Sequence, residues 1–228
     1  TLDGEPVWEN PGVKRKIACI PDEIFYFPQA SIAGMADFYA GIYPTFDREL
    51  FRRLGQVFEL PKGSPIRRFS KGMQKQAAFW LAISIRPEVL ILDEPVDGLD
   101  PVMRRQVWQL LLSDVSQNGT TVLVSSHNLR ELEDVCDRVG IVDHGRMLLE
   151  RSLSELQENI VKVQMVPAEG NGLPEGLKVV HQSQAGRLLT LVGRGSGDEI
   201  RAPLAAAGAV DFDLLPLSLE EIFIYELG

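Results

Sequence analysis

The chain has 228 residues, 45% of them hydrophobic, which is enough to build one large domain or two small ones. Its formal net charge of -9 argues against nucleic acid as the main partner. Two cysteines, Cys19 and Cys136, without paired spacing or clustered histidines, indicate neither a disulfide framework nor a zinc site and fit a reducing cytoplasm. The longest apolar stretch, 77–85, is about half of a bilayer-spanning helix, so any membrane role is expected to be peripheral.

The first regular segment in chain order is a short buried strand, 17–20, which stops at Pro21 and leaves Asp22 at its tip. Apolar residues then recur at helical spacing in two segments, for which Ser31 and Asp47 are the predicted N-caps. Core packing is the expected role of both helices.

A third helix is predicted to begin at Ser70 and Gly72 and to stop before Pro87. Such a helix start can bind a phosphate, because it offers free backbone N–H groups, a serine hydroxyl and a residue without Cβ. Serine is also a common structural helix cap, so this segment alone is weak evidence for a phosphate site.

The segment 89–92 is a run of four apolar residues that leads directly into Asp93 and Glu94, which predicts a strand buried on both faces with carboxylates at its tip. Because unpaired buried carboxylates are costly, we expect this pair to face a cation, a nucleotide or water, as at the catalytic edge of an ATPase. Asp100 followed by proline predicts the next helix start, and a further buried strand, 120–126, ends at His127.

The rest of the chain contains a predicted hairpin turn at 143–146 and a capping box formed by Ser152 and Glu155. The composition shifts at 167–176, where glycine, proline and asparagine predict a domain boundary in or just before the segment. Beyond it we expect a small α+β unit with a structural or regulatory role. Its predicted elements are strands at 178–182, 187–192 and 210–214 and helices at 198–206 and 219–227.

Four motifs of this chain resemble those of the nucleotide-binding subunit of ABC transporters. Asp93-Glu94 is similar to the end of the Walker B strand, the Ser70 loop to the signature, Asp100 to the D-loop and His127 to the H-loop. The resemblance covers about 17–156. It implies an α/β fold, an incomplete P-loop NTPase core of RecA-like type, followed by the small α+β domain. The implied domains are a partial ABC ATPase domain, 1–160, with a helical subdomain at about 31–86, and an accessory domain, 161–228.

The resemblance also implies ATP and Mg²⁺ as cofactors and a role for each motif residue. Asp93 would hold Mg²⁺, Glu94 would act as general base towards water, and His127 would contact the γ-phosphate through a neutral imidazole that donates one hydrogen bond. Asp22 stands where many members carry the Q-loop glutamine and would approach the metal or its waters.

The signature residues would contact the γ-phosphate of a nucleotide held mainly by a second subunit, in a head-to-tail dimer, with Asp100 at the interface. Lys71 and Met73 replace the usual small and polar residues, a subgroup variation that should preserve phosphate binding. The signature residues concerned are Ser70, Lys71, Gly72, Met73 and Gln74.

The 228 residues contain no Gly-x-x-x-x-Gly-Lys-Ser/Thr loop, which in the family precedes the strand at 17–20. We therefore expect a truncated piece that binds ATP poorly and hydrolyses it negligibly. Family topology would put the strand that belongs to this loop between the strands at 121 and 139, whose unpaired edges would invite dimerisation or rearrangement.

The leading hypothesis is the ATP-hydrolysing subunit of an ABC transporter, located in the cytoplasm and bound peripherally to the inner face of the membrane. Its partners would be a second nucleotide-binding subunit and a transmembrane permease that contacts the helices between 31 and 86. The alternatives are a catalytically inactive ABC-type interaction module and a soluble ABC ATPase without a transport role.

Overall fold

The computed structural model describes residues 1–166, 177–206 and 212–227, and the chain forms two compact units, Thr1–His127 and Asn128–Gly228. The predicted boundary segment, 167–176, lies outside the described residues. The division into domains after residue 160 stays a prediction.

The first unit contains a parallel sheet of three strands and the helices that pack on it. In chain order its elements are α1 (Pro11–Lys14), β1 (Ile17–Ile20), α2 (Ile32–Ile42), α3 (Arg48–Phe58), a 3-10 turn (Ile66–Arg68), α4 (Lys71–Ser84), β2 (Val89–Asp93), α5 (Pro101–Asn118) and β3 (Thr121–Ser125). The strand order is β1-β2-β3, with Ile20 opposite Leu92 and Asp93 opposite Ser125. All three strands therefore end at the same edge.

The predicted helix starts in this unit are confirmed by side-chain hydrogen bonds at the caps. Ser31 Oγ accepts from the N–H of Gly34 at 3.2 Å, and Asp47 Oδ1 accepts from the N–H of Leu50 at 2.8 Å. Each cap satisfies an N–H group that the first helical turn leaves without a partner. Local sequence signals thus determine where α2 and α3 begin.

Helix α4 is the centre of the core of the first unit. Trp80 is fully buried, and its ring stacks on Phe51 with centroids 4.9 Å apart and on Phe58 at 6.3 Å. Its indole N–H donates to the main-chain oxygen of Phe51 at 2.7 Å, so the one polar atom of this large side chain is satisfied. These contacts attach α3 to α4 and fix the direction in which α4 leaves the sheet edge.

The prediction that the strand at 89–92 is buried on both faces is wrong. The strand at 120–126 was predicted to be buried, but the residues of β3 alternate between exposed and half-buried. Leu90 and Leu92 are buried in the same cluster as residues of α4 and α5, whereas Ile91 is only half-buried and the side chain of Leu123 is 61% exposed. In the part of the first unit that the structure describes, the helices cover one face of the sheet. A run of apolar residues cannot by itself reveal how many faces are covered.

The second unit begins with α6 (Leu129–Glu133) and contains two antiparallel sheets. Its other elements are β4 (Arg138–Asp143), β5 (Arg146–Ser152), α7 (Leu153–Glu158), β6 (Ile160–Met165), β7 (Lys178–Ala185), β8 (Leu188–Arg194), α8 (Gly197–Ala206), β9 (Phe212–Pro216) and α9 (Leu219–Leu227). Strands β4 and β5 form the predicted hairpin, and the predicted capping box of Ser152 and Glu155 is confirmed. The other sheet has the order β7-β8-β6-β9.

Strand β6 is an element that the sequence analysis missed, although its residues alternate as a half-buried strand should. Val161, Val163 and Met165 are buried on the face that packs against Ile200 and Leu204 of α8. The C-terminal sheet and helices otherwise match the predicted two-layer α+β unit. Among the described residues, no helix has the length and apolar character that crossing a bilayer requires.

Candidate functional site: the carboxyl edge of the parallel sheet

The parallel register brings the predicted site residues of three strands to one edge. Asp22 follows β1, Asp93 and Glu94 stand at the end of β2, and His127 follows β3. Residues that are far apart in sequence are thus gathered by strand pairing alone, as at the ligand-binding edge of open α/β sheets.

Glu94 has an unusual backbone conformation, with φ of 43°, in the left-handed region that a residue with a Cβ adopts at a cost of about 1–2 kcal/mol. Two contacts hold it there. Its N–H donates to the main-chain oxygen of Ser125 at 3.0 Å, and its own main-chain oxygen accepts from Lys75 Nζ. The chain therefore turns sharply at the residue that carries the candidate base.

The carboxylate of Glu94 is tied to the segment that follows β3. Oε1 accepts from the main-chain N–H of His127 at 3.0 Å and lies 2.8 Å from His127 Nδ1, while Oε2 accepts from Ser126 Oγ at 3.3 Å. An ionised carboxylate has about two acceptor positions on each oxygen, so Oε1 is fully used and Oε2 retains capacity for a further donor. Oε2 is therefore the atom that can accept a proton from water.

The same contact determines which ring nitrogen of His127 carries a hydrogen. Because a carboxylate can only accept, Nδ1 must carry the proton in this contact. A neutral imidazole then presents a lone pair at Nε2, and only the imidazolium donates from both nitrogens. The hydrogen bond that the sequence analysis assigned to a γ-phosphate is, in this structure, given to Glu94. The His127 side chain is 81% exposed.

Asp93 supplies a carboxylate that suits Mg²⁺. Its Oδ1 accepts from Ser125 Oγ at 2.5 Å, and the residue is exposed at the sheet edge. Mg²⁺ usually takes one or two protein carboxylates and completes its shell with water and substrate phosphates, so a single oxygen ligand from Asp93 fits. No group of three or more acidic, histidine or cysteine side chains that could bind a metal unaided occurs in the described parts of the chain.

Asp22, the other predicted metal residue, forms an ion pair instead of standing alone. Its Oδ1 lies 3.2 Å from Lys75 Nζ, and its side chain is half-exposed. One oxygen of Asp22 is thus already paired with the ammonium of Lys75. The role of Asp22 as a metal ligand stays a prediction.

Lys75 is a site residue that the sequence analysis missed. The signal was present, because Ala78, Phe79 and Ala82 follow it at helical spacing and place it on the buried face of α4. A lysine on such a face requires a partner. The partners, Asp22 and the main chain of Glu94, lie on other elements and could not be read from the local pattern.

The signature segment forms the first turn of α4. Ser70 is the N-cap and accepts from the N–H of Met73 at 3.2 Å, and Gln74 Nε2 donates to the main-chain oxygen of Phe69 at 3.0 Å. Lys71 is exposed, whereas Met73 packs partly against the core. The substitution of methionine in the signature therefore has a structural role as a hydrophobic anchor.

Gly72 is required by close packing rather than by its dihedral angles. A Cβ built on it would lie 2.8 Å from the main-chain oxygen of Gly98. Gly98 belongs to the D-loop segment, which ends at Asp100, where Oδ1 accepts from the N–H groups of Val102 and Met103 at 3.0 Å. Signature and D-loop segments thus touch through backbone atoms within one chain.

The electrostatic effect of Asp93 extends to β1. Burial, with a smaller contribution from the charge of Asp93, raises the pKa of the Cys19 thiol. Cys19 therefore remains a protonated thiol at neutral pH, and its thiolate takes no part in the chemistry of this edge.

Comparison with known proteins agrees with this fold. A family model described as "AAA domain, putative AbiEii toxin, Type IV TA system" matches residues 4–133, more than half of the chain. All 228 residues align at 30% identity with the ABC transporter ATP-binding protein YtrB of Bacillus subtilis (strain 168), of which they span 78%.

Two solved structures resemble the chain in fold. One is an ATP-binding subunit of an ABC transporter, with a TM-score of 0.58 and 24% identity over 63% of this chain and 62% of that one. The other is the dimeric ATP-binding cassette MJ0796 in a post-hydrolysis state bound to ADP and Pi, with a TM-score of 0.55 and 20% identity over 62% and 65%. The match thus spans less than two thirds of either solved chain.

The parallel sheet and its carboxyl edge have the fold class of ABC ATPase domains with a P-loop NTPase core. The alignment with YtrB and the family match also show that the chain belongs to the family of ABC transporter ATP-binding proteins.

Proposed function

We propose that this chain supplies the catalytic edge of an ATP-hydrolysing subunit that drives transport through a membrane permease. The observation that carries the proposal is the Glu94 carboxylate, held by His127 and Ser126 beside Asp93 at the end of a parallel strand. Bound Mg²⁺ would neutralise charge on the nucleotide phosphates.

The proposed chemistry assigns one task to each residue at this edge. Glu94 accepts a proton from the attacking water at Oε2, which accepts one hydrogen bond from Ser126 Oγ and has capacity for another donor. His127 orients the carboxylate through Nδ1–H. Once Nε2 has taken a proton from solvent, the imidazolium offers Nε2–H to the γ-phosphate. Asp93 holds the metal through one oxygen, and Ser125 fixes the rotamer of that side chain.

We further propose a head-to-tail dimer in which the first turn of α4 faces a nucleotide held by a second subunit. Ser70 and the free N–H groups of this helix start suit a γ-phosphate, and Lys71 adds an exposed positive charge beside it. Asp100 lies beyond the Gly72 and Gly98 contact, so the D-loop would reach the same interface. MJ0796 is described as a dimer, which supports this arrangement by analogy.

The permease would dock against the helical subdomain, 31–86, and the segment after Asp22. This surface carries three exposed phenylalanines, Phe25, Phe27 and Phe38, and the rings of the last two are packed edge to face at 5.8 Å. Exposed aromatic residues are enriched at protein interfaces. A subunit that binds a permease through this surface would lie in the cytoplasm, peripheral on the inner face of the membrane. Residues 1–160 would form the ATPase part, and 161–228 an accessory domain.

Replacement of the candidate base by its amide tests the proposal. In the complete protein, Glu94→Gln with Mg-ATP should retain bound ATP and sediment as a dimer, whereas the unmodified protein returns to monomer as ATP is consumed. Glu88→Gln is the matched control, because Glu88 is an exposed acid that directly precedes β2 and pairs with Lys16 at 3.2 Å. It should behave as the unmodified protein does.

Three outcomes of this experiment would contradict the proposal. Unchanged ATP consumption by Glu94→Gln would remove Glu94 from the role of base. A Glu94→Gln variant that holds ATP yet stays monomeric would remove the ATP-bridged dimer. Retained dimerisation without any turnover in the unmodified protein would instead favour the inactive interaction module.

A further inference from the structure

Lys75 lies one turn beyond the signature serine, with its side chain only 7% exposed. A lysine is rarely buried to this extent unless its ammonium has polar partners, because removing the charge from water is costly. The ammonium of Lys75 has two such partners, the Asp22 carboxylate and the main-chain oxygen of Glu94.

These two partners belong to different strands of the parallel sheet. Asp22 follows β1, and Glu94 follows β2, so one ammonium connects two strand ends to the first turns of α4. The Asp22 side chain is half-exposed, and the segment after it carries the exposed phenylalanines Phe25 and Phe27. If that exposed segment moves, the contact between Asp22 and Lys75 can therefore transmit the movement to Glu94.

The contact to Glu94 is made where the backbone is strained. The left-handed φ of 43° at Glu94 persists only while its neighbours hold both of its peptide groups. Ser125 holds the N–H side, and Lys75 holds the carbonyl side, where the N–H of Asp97 also donates at 3.3 Å. Loss of the ammonium would leave only the longer Asp97 bond on this carbonyl.

We propose that Lys75 is a positioning residue: it fixes the peptide of Glu94, and hence the direction of the Glu94 side chain, and it links that direction to the position of Asp22. The proposal rests on the base role of Glu94 stated under the proposed function. Lys75 touches neither water nor phosphate in this role, so it acts on the rate of cleavage through Glu94.

A purely structural ion pair predicts something different. Removing one member of the pair leaves Asp22 without its cation, so a purely structural role would lower the stability of the fold and would not act selectively on the cleavage step. A positioning role instead lowers kcat while KM for Mg-ATP stays nearly constant, because the lost interaction acts on the cleavage step. A fall in kcat at nearly constant KM therefore distinguishes the positioning role from the structural one.

The first experiment compares Lys75→Met with Lys14→Met in the complete protein. Lys14 is an exposed lysine of α1, so the same chemical change there should leave kcat as it is. Lys75→Met should lower kcat by about 10- to 100-fold, since a shift of about 1 Å in a catalytic group costs up to roughly 100-fold. KM should change by no more than about twofold. An unchanged kcat, with Glu94→Gln inactive in parallel, would overturn the role of Lys75 and leave that of Glu94 intact.

The link to Asp22 is tested by a double-mutant cycle. Asp22→Asn alone should lower kcat, and it should cause little further loss when Lys75 is already methionine, since the two act through one contact. Equal losses in both backgrounds would overturn the link.

A measurement without nucleotide checks the same inference on the 228-residue chain. Amide hydrogen exchange should be faster in Lys75→Met at Glu94 and Asp97, by roughly fivefold or more, because both amides depend on the peptide that Lys75 fixes. The amide of Arg104, which donates to Asp100 in the next helix, is the internal reference and should not change. Equal exchange at Glu94 and Asp97 in the two proteins would show that Lys75 does not hold this peptide.

Discussion

Gly72 offers the sharpest stability test of how the signature and D-loop segments are packed. In Gly72→Ala the new Cβ would lie 2.8 Å from the main-chain oxygen of Gly98, well inside ordinary contact distance. The atom it meets is backbone and cannot swing aside as a flexible side chain would. Overpacking of this kind costs about 1–3 kcal/mol.

An opposing effect must be subtracted, because alanine is a better helix former than glycine by up to about 1 kcal/mol. Gly41 provides the matched control: it also lies in a helix, α2, and a Cβ there meets nothing within 4 Å. Gly41→Ala should raise the free energy of unfolding by about 0.5–1 kcal/mol. Gly72→Ala should lower it by up to about 2 kcal/mol once the propensity gain is subtracted.

Urea denaturation followed by fluorescence measures both free energies, and the buried, stacked Trp80 reports on the first unit. Both variants gain helix propensity, so they should differ by the overpacking cost of about 1–3 kcal/mol, with Gly72→Ala the less stable. A Gly72→Ala chain as stable as Gly41→Ala would refute the packing of the signature helix against Gly98.

Three further predictions concern acid stability, turnover and nucleotide binding. The N–H of Leu50, and to a lesser extent Arg86, lowers the pKa of Asp47 from 3.8, so its charged form stabilises the fold above that value and the contribution is lost as pH falls through the lower folded-state pKa. Asp47→Asn should therefore flatten the loss of unfolding free energy below about pH 4, measured by urea titration at several pH values; an equally steep loss would contradict this. His127→Ala, which removes the Nδ1 contact to Glu94, should reduce kcat by about 100-fold while the Kd for Mg-ATP changes little, and equal losses in both would indicate a structural role. Calorimetry on the 228-residue chain should show weak Mg-ATP binding, because these residues contain no Gly-x-x-x-x-Gly-Lys-Ser/Thr loop, and micromolar affinity would contradict this.

The elements that sequence reasoning predicted correctly are those governed by local signals. Ser31 and Asp47 begin their helices as expected, because a cap acts only on N–H groups two or three residues away. The strand ends that carry Asp93 and His127 were also predicted, since an apolar run that stops at a polar residue is itself a local pattern. Parallel pairing then placed these ends together.

What the sequence did not reveal depends on contacts between distant segments. Lys75 meets Asp22, 53 positions away, and nothing in either neighbourhood specifies that pairing. The exposure of Leu123 depends on which face the helices cover, and the proton of His127 is placed by Glu94 in another strand. Strand β6 is a different case, because the alternation of its residues is a local pattern that is visible in the sequence.

The central claim is that Glu94 activates water at the carboxyl edge of the parallel sheet. The most direct test is the single-turnover rate constant for cleavage of bound ATP in the complete protein, measured for the unmodified protein and for Glu94→Gln at saturating Mg-ATP. Both proteins should bind the same amount of ATP, and cleavage should be at least about 100-fold slower in the variant. Cleavage at the unmodified rate in Glu94→Gln would contradict it.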